Sequence, residues 1–185
     1  MRKAPARLAK VLRSARRWGR DRRFGACCCG LLIAALAATT VRPPQPRLVW
    51  NASASAPIGL WSVAPGAPFD RGDMVAARLA EPWRGLAARR HYLPANVPLI
   101  KRVAAGAGDN ICAGQHGIFV NGSLVAIPLE TDSAGRAMPR WRGCRRLGDD
   151  AVLLLMDATT SFDGRYFGPT ARRDIIGKVT PLWLR

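Results

Sequence analysis

The chain has 185 residues, 49% apolar and 22% charged, and its 29 Lys+Arg against 12 Asp+Glu leave a net charge of +17. That length fits one domain of ordinary size with a small addition, and the apolar share excludes a disordered polyelectrolyte. Two histidines and five scattered cysteines exclude a histidine-rich metal centre and a disulfide-dense mini-scaffold, so neither metal nor cofactor is expected.

The N-terminal segment comes first in chain order. Residues 1–23 hold ten Lys+Arg against a single acid, Asp21, a net of +9. Phe24 to Val41 then run for 18 residues without a charge. As a helix that run would span about 27 Å, close to the thickness of a bilayer's hydrocarbon core. The basic block before it and the single Arg42 after it predict a cytoplasmic N-terminus and an exported remainder. A cleaved signal peptide is the alternative, with Ala35-Leu36-Ala37 as the cleavage site. Residues 42–47, Arg-Pro-Pro-Gln-Pro-Arg, form a short proline-stiffened spacer ahead of a domain over 48–185.

The exported portion reads mainly as β. Strands are predicted at Met74–Arg78, after the Arg71-Gly72-Asp73 turn, and at Pro98–Val103, ending at Gly106-Ala107-Gly108-Asp109. Ile118–Val120 and Ser123–Val125 flank Asn121-Gly122, the pair suited to the two positive-φ positions of a type I′ hairpin turn. Val152–Met156 is a buried strand and Ile175–Leu184 a closing one. No long amphipathic helix alternates with these strands, which argues for an antiparallel, loop-rich β domain and against a parallel α/β sheet. Cys112 and Cys144 are the two cysteines of this portion. An oxidising compartment would pair them, and two buried free thiols are the alternative. Cys27, Cys28 and Cys29 lie in the apolar run and serve packing there.

Two segments carry chemistry. Asn51-Ala-Ser53-Ala-Ser55-Ala56-Pro57-Ile-Gly59 gathers hydroxyls into a turn of small residues. Such a turn suits an exposed nucleophilic serine with backbone N–H groups nearby, and equally suits serines that only make turn hydrogen bonds. Asn51-Ala52-Ser53 and Asn121-Gly122-Ser123 also fit the glycosylation sequon, which carries little weight in a composition of bacterial type. A serine nucleophile needs a base. His91 and His116 have no orienting acid in sequence. Lys101 sits in the apolar strand Leu99-Ile100-Lys101-Arg102-Val103, where neighbouring side chains face opposite ways, so one of Lys101 and Arg102 points inward. A lysine pressed into apolar surroundings loses its preference for charge, and only its neutral amine can accept a proton. An edge strand with both side chains solvated is the alternative.

Ser55-Ala56-Pro57-x-Gly59-Leu60-Trp61, Arg71-Gly72-Asp73, Lys101-Arg102-Val103 with Gly108-Asp109, and Ser161-Phe-Asp163-Gly-Arg165-Tyr166-Phe167-Gly168-Pro169 occur in the order of the boxes of the type I signal peptidases. The Asn-x-Ser-x-Ser-x-Pro-x-Gly opening and the short length resemble most the TraF-type branch of conjugative transfer systems. The resemblance covers about residues 48–185. It implies a Ser–Lys dyad endopeptidase with Ser55 as nucleophile and Lys101 as general base. Ser53 and the Ser55 N–H would hold the oxyanion, Ser161 would orient the lysine, and Asp163 with Arg165 would form a supporting ion pair. Ala56 departs from the usual Met of leader peptidases, and Gly164 from a frequent Ser. The implied setting is the bacterial inner membrane, single-pass, with the catalytic domain in the periplasm. The implied partners are membrane lipid and a protein precursor, either a pilin or a signal-peptide-bearing chain, and no nucleic acid. A general leader peptidase and a non-catalytic, membrane-anchored basic binding module are the rival readings.

Overall fold

The computed structural model describes residues 25–38 and 45–185. Residues 25–38 form a helix, α1, and belong to a separate unit from the compact body that runs from Gln45 to Arg185. No helix among the described residues is long and apolar enough to cross a membrane. Phe24 and residues 39–41 of the predicted membrane segment, the basic block 1–23 and the first part of the spacer lie outside the described residues.

The body is antiparallel β. Its large sheet has seven strands in the order β1 (Leu48–Asn51), β2 (Gly59–Pro65), β11 (Ile175–Leu184), β3 (Met74–Ala77), β4 (Leu99–Ala105), β9 (Ala151–Leu155) and β10 (Thr170–Ala171). A small sheet orders β7 (Ser123–Ala126), β6 (Ile118–Val120), β5 (Asn110–Ala113) and β8 (Gly143–Arg146). Two short helices, α2 (Trp83–Arg89) and α3 (Gly164–Phe167), complete it.

The local chemistry explains these elements. Ala151-Val-Leu-Leu-Leu155 is buried along its whole length because it packs on both faces, which is why it reads as a continuous apolar run rather than an alternation. The Asn121-Gly122 turn has φ of 51° and 83°, the paired positive values of the type I′ hairpin the sequence predicts. β1 has only four residues, and the serine- and proline-bearing loop between it and β2 hides the pattern of both. The small sheet packs Ile111, Ile118 and Val120 against Leu153 and Leu155 of the large one, forming one core. On the face of the small sheet turned away from that core, Cys112 and Cys144 are register partners on β5 and β8 and are joined by a disulfide. A further cluster seats α2, through Ala87, against Leu99, Phe162 and Tyr166.

Strand β4 lies between β3 and β9, inside the sheet, with Lys101 opposite Val75. The solvated-edge alternative for Lys101 therefore does not hold. Lys101 is the residue that turns inward, at 2% exposure, and Arg102 turns out to an ion pair with Asp157 at 2.8 Å.

Candidate active site

Three segments distant in sequence meet at Lys101. The first is the loop joining β1 to β2, residues 52–58. Gly59 closes it, with φ of 149°, and a Cβ there would lie 2.1 Å from the Trp183 carbonyl of β11, so no larger residue lets the strands approach this closely. The loop carries Ser53 and Ser55, whose hydroxyl oxygens are 2.9 Å apart, and the Ser55 N–H donates to Ser53 Oγ at 3.3 Å.

Strand β4 supplies the amine. Lys101 Nζ lies 2.7 Å from Ser55 Oγ and 3.0 Å from Ser161 Oγ. Burial drives the lysine pKa down from 10.5 to about 8. The Asp163 carboxylate opposes that shift and the Arg165 guanidinium adds to it. The amine is thus within hydrogen-bond reach of the Ser55 hydroxyl, with the Ser161 hydroxyl as its second partner.

The third segment leaves β9 and turns back through residues 156–163. A buried ion pair organises it: Arg165 Nε meets Asp163 Oδ1 at 2.8 Å, with both side chains nearly or fully inaccessible. Asp163 also accepts from the Met156 N–H at 3.1 Å and from the Arg165 N–H at 3.1 Å, so it caps α3. Arg165 donates onward to the Met156 and Thr159 carbonyls. The pair therefore clamps both ends of the turn that carries Ser161, and every buried polar side-chain atom among the described residues has a partner. Gly164 follows because nothing else fits: a Cβ there would stand 2.7 Å from the Leu154 carbonyl oxygen and 2.8 Å from Leu153 Cδ1.

The structure thus brings together Ser53, Ser55, Lys101, Ser161, Asp163 and Arg165. His91 and His116 are exposed. The disulfide Cys112–Cys144 staples the small sheet. Sequence reasoning missed Asn51 as part of this arrangement, having read it only as an element of a motif and of a sequon. Its carboxamide spans the serine loop, donating to the Ser53, Ala56 and Pro57 carbonyls. Trp61 Nε1 adds a bond to the Pro57 carbonyl at 3.2 Å. The signal available in sequence was an Asn at the end of a strand, two residues before a turn, the common position for capping loop backbone.

Comparison with known proteins agrees in kind. Residues 20–184 match the family described as signal peptidase, peptidase S26. The chain belongs to this family, the type I signal peptidases, whose general chemistry is serine peptidase activity. Its relatives carry a narrower name. A plasmid transfer protein TraF of Escherichia coli is 35% identical over 145 residues, covering 71% of this chain and 80% of the relative. A conjugal transfer protein TraF of Agrobacterium fabrum is 30% identical over 143 residues, covering 72% of this chain and 80% of that one. These put the chain on the TraF-type branch. Among solved structures, a signal peptidase I of Enterococcus faecalis V583 aligns with 62% of this chain and 98% of its own, at 17% identity and a TM-score of 0.36.

Proposed function

We propose that this chain is a Ser–Lys endopeptidase, anchored in the bacterial inner membrane, that processes a conjugative pilin precursor or a similar exported protein from the periplasmic side. The observation that carries the reading is the 2.7 Å approach of a buried, charge-averse Lys101 amine to Ser55 Oγ. Neutral Lys101 takes the Ser55 proton as the hydroxyl oxygen attacks the scissile carbonyl. The developing oxyanion is held by the Ser55 N–H and the Ser53 hydroxyl. In the free enzyme these two donors are engaged with the serine pair itself, and the substrate carbonyl replaces that internal bond. Lys101 then returns the proton to the leaving amine. Water resolves the acyl-enzyme to a linear product, and an amine resolves it to a new amide bond. Ser161 keeps the amine aimed, and Asp163 with Arg165 keeps Ser161 in place.

The uncharged run from Phe24 to Val41 behind a basic block supports the anchor. Contact with membrane lipid is supported by apolar side chains left exposed where the body begins and ends: Leu48, Trp50, Leu182, Trp183 and Leu184. Trp50 and Trp183 face one another there at a ring separation of 5.6 Å. Relatives named for plasmid and conjugal transfer support a substrate within the transfer machinery.

The test is cleavage by detergent-solubilised full chain of a panel of pilin and signal-peptide precursors, read by mass spectrometry, for wild type, Ser55→Ala and Lys101→Ala. Loss of cleavage in both variants supports the dyad, and product mass separates hydrolysis from cyclisation. Broad cleavage of secretory precursors would favour a general leader peptidase. Full activity of either variant removes the dyad, and an inert wild type favours a non-catalytic binding module.

A further inference from the structure

Asn51 makes a set of contacts that neither strand pairing nor the dyad requires. Its Nδ2 donates to the Ser53 carbonyl at 2.9 Å and to the Ala56 and Pro57 carbonyls, each at 3.0 Å, while its Oδ1 accepts from the Ser53 N–H at 3.2 Å. Two amide hydrogens serve three acceptors, so one of these bonds is shared. Three carbonyls around the nitrogen and one N–H at the oxygen leave a single sensible orientation of the group. The loop's own backbone contributes far less: Ala56 N–H reaches the Ser53 carbonyl at a long 3.4 Å. The carboxamide therefore grips the loop on both sides of Ser55, at residue 53 before it and at residues 56 and 57 after it. It is anchored at the end of β1, where Asn51 is the register partner of Gly59.

We propose that Asn51 is the positioning residue of the nucleophile loop, fixing Ser55 and Ser53 relative to Lys101; this rests on the dyad reading above. Only a carboxamide supplies an acceptor and multiple donors on one rigid planar group of this length. Aspartate keeps the shape and the acceptor, loses every donor and brings a negative charge among three carbonyl oxygens. Alanine leaves the loop with the Trp61 bond, the contacts of Ser53 and Ser55 with each other and with Lys101, and the long Ala56 bond, none of which grips it on both sides of Ser55. Asn51 and Ser53 are only partly buried and Pro57 is exposed, so water can reach two of the three released carbonyls, with that of buried Ala56 the exception, and the fold survives the loss. The nucleophile is then no longer confined, and misplacement on the scale of 1 Å costs about 10²-fold in rate.

The experiment measures cleavage of one cleaved precursor peptide by the full chain in detergent, for wild type, Asn51→Ala, Asn51→Asp and Ser55→Ala, with the thermal midpoint of each. Both Asn51 variants are expected to lose about 10²-fold in kcat, with KM within about twofold and the midpoint above the assay temperature. The pH at which activity rises is expected to stay close to that of wild type, because Asp163 and Arg165, the charged groups that act on Lys101, belong to the third segment and not to the serine loop. A kcat within about threefold of wild type in Asn51→Asp overturns the proposal. So does a loss that appears only as KM, or only where the protein has unfolded. If Ser55→Ala keeps its activity, or wild type cleaves nothing, the dyad reading itself has failed; if Ser55→Ala is dead and both Asn51 variants are fully active, the failure belongs to the Asn51 proposal alone.

Discussion

The dependence of cleavage on pH is the most direct consequence of the proposed Ser55–Lys101 dyad. The perturbation is titration of Lys101 across pH 5.5 to 9.5 in the intact enzyme. Only the neutral amine accepts the Ser55 proton, so rate follows the neutral fraction. With the pKa lowered by burial to about 8, roughly a tenth of the molecules carry a neutral amine at pH 7. At the ordinary value of 10.5 the fraction would be about one in three thousand, so burial raises the reactive fraction about 300-fold at neutral pH. The expected profile of kcat/KM climbs about tenfold per unit below pH 7, bends near 8 and is flat above it. The assay is initial rate on a precursor peptide under kcat/KM conditions, with thermal midpoints recorded at each pH. A bend well below pH 8 would implicate a base other than Lys101, and a climb that continues past pH 9.5 would mean a solvated lysine. Either result refutes the account of the base.

Three further consequences test the supports of the site. Lys101→Met is expected to abolish cleavage while stabilising the fold at pH 7 by about 1–2 kcal/mol: the lowered pKa corresponds to about 3 kcal/mol against the charged form, offset by two lost hydroxyl contacts. The sign follows from linkage, since an unfolded lysine near 10.5 binds the proton that the folded one releases near 8; the wild-type penalty is present below pH 8 and fades as pH rises to about 10.5, so the gain seen by chemical denaturation should shrink over that window. Gly164→Ala forces a methyl against the Leu154 carbonyl and is expected to cost about 1–3 kcal/mol in the same measurement. Removing the Cys112–Cys144 bond as a double serine variant frees a loop with a sequence separation of 32 residues and is expected to cost about 3–4 kcal/mol, with kcat little changed because the staple lies in the small sheet.

Strands whose apolar pattern is continuous were legible: β4, β9 and β11 appear where their sequences predict, as does the hairpin whose Asn-Gly pair dictates its turn. The short β3, beside its Arg-Gly-Asp turn, was legible too, but short elements without such a cue were not. β5 and β8 have four residues each, and Gly143-Cys-Arg-Arg146 is exposed throughout, so no alternation marks it as a strand. Its place in the sheet comes from pairing and from the disulfide, both tertiary facts. β2 hides its Gly-Leu-Trp-Ser-Val-Ala-Pro alternation behind a proline-bounded loop. α2, Trp-Arg-Gly-Leu-Ala-Ala-Arg, is one short apolar stripe with an interior glycine, too brief for a helical period to emerge. It forms because Ala87 has a surface to pack on.

For the candidate site, the residue types were legible and the reason for their juxtaposition was not. Lys101 could be singled out because a cation in an apolar strand is anomalous, yet the period-2 rule alone could not choose between it and Arg102. What decides is which face of β4 is covered: the loop of Ser55 and the turn of Ser161 close over Lys101, while Arg102 opens toward solvent and Asp157. Asp163 and Arg165 were expected as a supporting ion pair only through the family resemblance, since their spacing gives no sign of burial. In the fold they are fully or nearly fully buried and hold the turn that carries Ser161 to an amine 60 residues earlier in the chain. A paired buried charge of this kind adds little to stability over an apolar replacement, and removing one partner costs about 3–5 kcal/mol. Its worth lies in specification: the pair fixes one course for residues 156–165, and that course sets both the direction of the lysine amine and the balance of charge around it. On the proposed dyad the same logic governs the loop of Ser53 and Ser55, where the Asn51 carboxamide would do for Ser55 what the ion pair does for Lys101. The lysine itself is a net cost to the fold at neutral pH, and these two polar clamps allow the protein to keep an uncomfortable amine within 2.7 Å of the hydroxyl it serves.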